Sequence, residues 1–134
     1  MINTKGRLVV EDKGFDSSKS TSYEKLVRDK IPDIIRKEGK KCRITTLSEE
    51  AFIKQLFEKL LEEAKELNRA YWIGDKDGKQ HERIMEEFCD VYEVLDEIAQ
   101  GMSIAREDIE ILRDKKREER GGFKDRTFLV DVSE

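Results

Sequence analysis

The stretch LLEEAKEL, residues 60–67, and its partner EEFCDVYEVL, residues 86–95, decide how this chain is read. Both have the spacing of an amphipathic helix, with apolar residues recurring every three or four positions. Both also set acids on or beside the apolar side. In the first, the line Phe52, Leu56, Leu60, Glu63, Leu67 puts a carboxylate where the pattern calls for an apolar residue. Glu66 lies three residues on, and Glu62 stands four before Glu66 at the patch edge. In the second, Glu87 falls between Ile84 and Val91 on the apolar stripe, with Asp90 three residues later.

Working outward, Ser48 is a suitable N-cap for the first long helix, with Glu49 and Glu50 in its first turn to suit the helix dipole. That helix is expected to run to about Tyr71, its apolar residues being Phe52, Ile53, Leu56, Phe57, Leu60, Leu61, Ala64 and Leu67. IGDKDGK, residues 73–79, is a turn-rich break. DKDG within it has the look of a calcium loop, but its glycine comes two positions too early. A second helix is expected over 80–99 with the stripe Ile84, Phe88, Val91, Leu95, Ile98, and Cys89 reads as a small buried filler. Gly101 is expected to end this helix, Ser103 to cap a third, and Gly121–Gly122 to close that one.

Upstream, KLVRDKIPDIIRKEGKK places Pro32, the sole proline, in the first turn of a short helix that Gly39 ends. CRITTL, residues 42–47, alternates and is β-branched, which suits a short strand or an extended linker. GRLVV reads as a short strand, and DKGFDSSKSTS as polar, mobile chain. Residues 1–22 are therefore expected to be a flexible arm before a single helical domain over 23–134. The tail FKDRTFLVDV reads as extended. The fold class expected is all-α, an antiparallel helical bundle with short extended segments near the N- and C-termini.

The 134 residues suit one domain with one core. At 37% hydrophobic and 43% charged, the chain offers no apolar run of the roughly 18 residues a membrane span needs. The N-terminus lacks the apolar region of a signal peptide, so the default location is cytoplasmic. The net charge of −4 comes from interleaved signs, which argues against a general nucleic-acid binder. Two cysteines and one histidine nearly exclude a zinc site of the usual kind.

If the two long helices pack antiparallel across their short connection, their acids converge. Like charges at close range resist ionisation, and burial adds to the cost. A hard divalent cation resolves the conflict, and a set made only of oxygens suits Mg²⁺ or Mn²⁺. The competing reading is plainer: glutamate is a good helix former and is most often solvated, and an ExxE pair alone is common.

The pattern Glu62-Glu63-Ala64-Lys65-Glu66, a spacer, then Glu87-Phe88-Cys89-Asp90 resembles the EExxE…ExxD arrangement of the MazG-like all-α nucleotide pyrophosphohydrolases. KLVRDKIPDII at 25–35 and RGGFKDRTFL at 120–129 resemble a branch described as house-cleaning or phosphoribosyl-ATP-pyrophosphohydrolase-like. The resemblance covers residues 23–130. It implies hydrolysis of the α–β phosphate bond of a nucleoside triphosphate, giving a monophosphate and pyrophosphate. It implies Mg²⁺, with Mn²⁺ as substitute, held by Glu62, Glu63, Glu66, Glu87 and Asp90, and Glu62 or Glu63 positioning the attacking water. Arg28, Lys115, Arg117 and Arg120 become candidates for the substrate's phosphates, with Lys25 and Lys30 near them in the first segment. Tyr71 and Trp72 are candidates to stack a base, or else core or interface residues. A homodimer or homotetramer is implied, with Phe52, Phe57, Phe88 and Tyr92 serving either that interface or the internal core. Two other functions stay open: a non-catalytic helical interaction module, and a phosphoribosyl-ATP pyrophosphohydrolase of histidine biosynthesis.

Overall fold

The computed structural model describes residue 2 and residues 6–134; Met1 and 3–5, the start of the expected arm, lie outside the described residues. The elements in order are β1 (Val10–Glu11), a 3-10 turn (Ser17–Lys19), α1 (Ile31–Lys37), β2 (Arg43–Ile44), α2 (Glu49–Trp72), α3 (Gln80–Gly101) and α4 (Arg106–Arg120). The chain divides into one compact unit ending at Ile98 and a second, Ala99–Glu134. It is mostly helical, as expected for an all-α chain. No helix is long and apolar enough to cross a membrane among the described residues.

In the first unit, β1 and β2 form a two-residue antiparallel ladder, Val10 opposite Ile44 and Glu11 opposite Arg43. Asp12 locks it. Its amide donates to the Cys42 carbonyl at 3.0 Å, and its carboxylate accepts the Cys42 amide at 2.8 Å and the Arg36 Nε at 3.0 and 3.1 Å. Part of the segment read as a mobile arm is thus paired to the body of the unit. Pro32 does lie in the first turn of α1. Gly39, at φ +80°, follows its last turn in the left-handed region a side chain disfavours.

α2 starts where its cap predicts: the Ser48 hydroxyl accepts the Ala51 amide at 3.2 Å. It leaves its axis through Gly74, at φ +82°. The connection to α3 is fastened by side chains. Asp75 accepts the Gln80 amide at 3.0 Å, Gln80 Nε2 donates to the Tyr71 carbonyl at 2.7 Å, and Arg83 binds both Asp77 and the Gly74 carbonyl. These bonds give Asp75 and Asp77 structural work, in place of the calcium loop already discounted.

The α2–α3 pair carries the core of the unit. Leu56, 3% exposed, packs with Val94 and Ile98, and Leu26, Phe52, Ile53 and Leu60 close around them. The inward face of α3 is Ile84, Glu87, Val91, Val94 and Ile98. This corrects the expected stripe: Phe88 and Leu95 are exposed, at 49% and 46%. The two stripes share Ile84, Val91 and Ile98, so spacing alone cannot choose between them; the helix phase that buries Val94 also takes Glu87 inward. Cys89, beside Phe88, is exposed rather than a buried filler. Trp72 and Tyr71 are exposed too, stacked edge to face on each other at 5.3 Å.

In the second unit, Ser103 does not cap α4. It sits at φ +55°, and its amide donates to the Gln100 carbonyl while that of Ile104 donates to Ala99 at 2.8 Å. This pair of bonds closes the end of α3. α4 therefore begins later, after Ala105, with no side-chain cap. Gly121, φ +80°, ends it. The tail carries no strand, and Phe123, Phe128, Leu129, Val130 and Val132 are exposed.

Candidate metal centre

Seven residues, about two helical turns, separate Leu56 from Glu63 on α2 and Val94 from Glu87 on α3. Because the helices run antiparallel, the geometry that seats Leu56 on Val94 also brings Glu63 toward Glu87. Carboxylate oxygens of Glu63, Glu87 and Asp90 all lie within 4.8 Å of one another. Glu63 is well covered, its side chain 12% exposed.

The charges in this group are unevenly compensated. Lys59, one turn before Glu63, is 16% exposed and bridges Glu62 at 3.3 Å and Glu63 at 3.2 Å. Lys25 reaches Glu62 from outside the helix at 3.2 Å. Arg28 Nη2 binds Asp90 Oδ1 at 2.7 Å. Glu87 has no cation partner among the described residues. Burial, then the charges of Asp90, Glu63, Glu66 and Glu86, push its carboxyl above the ordinary range. Burial also acts to raise Glu62, but the hydrogen bonds and charges of Lys25 and Lys59 outweigh it and leave Glu62 below the ordinary range.

Of the five acids read from the sequence, the structure brings three into close contact. Glu62 is engaged by the lysines beside them, and Glu66 lies exposed on α2, near enough to act on Glu87 by charge. Arg28 is at the edge of the group. Lys115, Arg117 and Arg120 belong to α4 in the second unit. There Lys115 has Glu119 at 3.9 Å and Arg117 has Asp114 at 3.4 Å as local partners. Lys59 escaped the sequence reading. The signal was its position four before Glu63, but a Lys–Glu pair at that spacing is common on any helix.

The donor set fits a hard divalent ion. It is all carboxylate, partly buried, and presented by two facing helices. Two ligands on opposite corners of an octahedron with bonds of about 2.1 Å stand about 4.2 Å apart. The oxygens here need only a small side-chain adjustment to close on such an ion. Two shallow surface grooves lie on the unit, one beside Lys25 and Phe57, the other beside Phe88 and Tyr92; none of the three acids lines either. Comparison with protein-family models, with curated proteins and with solved structures finds no match to this chain.

Proposed function

We propose that the chain is a Mg²⁺-dependent nucleotide pyrophosphohydrolase of the MazG-like kind, an all-α bundle that splits the α–β phosphoanhydride of a nucleoside triphosphate or related nucleotide. The observation that carries this reading is the meeting of Glu63, Glu87 and Asp90 oxygens within 4.8 Å across two helices. The resemblance of EExxE…ExxD and KLVRDKIPDII to that superfamily supports it.

Glu63, Glu87 and Asp90 hold the ion, with Glu66 adding negative charge at the rim. A bound Mg²⁺ supplies positive charge to the phosphates as pyrophosphate departs and makes an attacking water more acidic. Glu62 suits the role of positioning the water. It lies next to Glu63, outside the close trio, and its lysine partners keep it ionised, so that it accepts a water's hydrogen bond while being a weaker base than a free glutamate. Arg28, with its planar fork of donors, suits a phosphate. A homodimer or homotetramer accounts for the exposed Phe57, Phe88, Tyr92 and Leu95.

The test is pyrophosphate release from a panel of nucleoside triphosphates, and from phosphoribosyl-ATP, with Mg²⁺. Wild type is expected to turn over at least one of them, and Glu63→Gln and Asp90→Asn none. A second reading has its own observation: Lys25, Arg28 and Lys59 already balance Glu62, Glu63 and Asp90, as a purely structural network in a helical interaction module would require. Wild type and variants equally inactive across the whole panel, with no thermal shift on adding Mg²⁺, select that reading.

A further inference from the structure

Lys25 and Arg28 come from one stretch of chain with no helix or strand, residues 23–30, just ahead of α1. Lys25 binds Glu62 on α2, and Arg28 binds Asp90 on α3, contacts made over sequence separations of 37 and 62 residues. Between them Leu26 packs on the Leu56, Val94 and Ile98 cluster. A few residues thus strap both helices beside the acids, with an apolar contact between the two charged ones.

Both ion pairs are partly exposed. Pairs of that kind contribute about 0–1 kcal/mol, so they are easily exchanged. An ion that takes Asp90 breaks the Arg28 pair at small cost. Leu26 then keeps the released guanidinium next to the ion, where the phosphates of a nucleotide need a cation that can bond through two donors.

Resting on the functional reading above, we infer that residues 23–30 form an exchangeable cationic strap: Lys25 and Arg28 hold Glu62 and Asp90 while no ion is bound, and pass to the phosphates of the nucleotide once metal and substrate enter. The strap thereby lowers affinity for metal alone and raises affinity for nucleotide with metal. These opposite signs set it apart from a strap that serves packing alone, whose loss weakens both or neither.

The experiment is a calorimetric Mn²⁺ titration without nucleotide, together with KM at saturating metal, on wild type, Arg28→Met and Lys25→Met. Melting curves accompany each variant to confirm that it is folded. Arg28→Met is expected to bind Mn²⁺ about two- to fivefold more tightly and to raise KM about tenfold or more, the loss of a charged hydrogen bond. Lys25→Met is expected to shift both quantities in the same directions. Weaker Mn²⁺ binding, or either quantity unchanged in Arg28→Met while the wild type binds Mn²⁺ and releases pyrophosphate, overturns the strap and leaves the function standing. A wild type that neither binds Mn²⁺ nor releases pyrophosphate overturns both.

Discussion

A carboxylate oxygen of Glu63 lies within 4.8 Å of one from Glu87, although the two residues belong to different helices. The contact follows from the core. Leu56 and Val94, two turns away on the same faces, fix the phase of α2 against α3. The fold therefore holds two like charges together with its hydrophobic packing, and without a cation on Glu87 that proximity is a cost.

The cost is measurable. Glu87 has its carboxyl raised above the ordinary 4.5 by burial and by its acidic neighbours. A carboxyl that binds its proton more tightly folded than unfolded lowers stability as pH rises through the window between the two values. Glu87→Gln is thus expected to unfold at higher urea concentration than wild type near pH 7.5 without metal. The advantage is expected to vanish near pH 4, where the unfolded carboxyl is also largely protonated. Urea melts at both pH values check it.

Asp12 carries the opposite sign. Hydrogen bonds from Arg36 and from the Cys42 amide hold its carboxyl below the ordinary 3.8. Its contribution is fully present above the unfolded value and fades as pH falls through the lower folded one. Asp12→Asn is expected to lower the melting temperature at neutral pH, and the gap from wild type is expected to narrow under acid. Circular dichroism melts across pH 2–7 read this out.

Packing gives a sharper contrast. Leu56→Ala removes the most buried side chain of the cluster and is expected to cost about 2–5 kcal/mol, whereas Trp72→Ala, at a residue 74% exposed, is expected to stay within about 0.5 kcal/mol. Denaturant midpoints at dilute protein concentration test both. A large, concentration-dependent loss in Trp72→Ala would show that this surface is covered by another copy.

Metal and stability are linked. A ligand that binds only the folded state stabilises it by about 2.7 kcal/mol at a hundred times its dissociation constant. Mg²⁺ is therefore expected to raise the melting temperature of wild type. Asp90→Asn is expected to show little rise, and chelation is expected to reverse the wild-type shift.

Much of this was legible in the residues. The Ser48 cap, the length of α2, the proline at the start of α1 and the break around Gly74 follow from local chemistry that acts within a few residues. Glu63 and Glu87 could be singled out because each occupies an apolar phase of its helix. What could not be read needed the third dimension. Phe88 and Leu95 fit one helical stripe and Glu87 and Val94 another, and only the partner helix decides which faces inward. Ser103 satisfies the rule for a cap, yet the backbone used it to close α3. The Arg28–Asp90 pair joins residues 62 apart, a distance over which periodicity carries no information.

The most direct test follows the Mn²⁺ signal by electron paramagnetic resonance as metal-free protein is titrated. Saturable loss of the free-ion signal is expected in wild type, with Mg²⁺ competing for the same site, and the loss abolished in Glu63→Gln, Glu87→Gln and Asp90→Asn. A wild type that leaves the free-ion signal untouched, or three variants that bind Mn²⁺ as wild type does, would contradict that expectation.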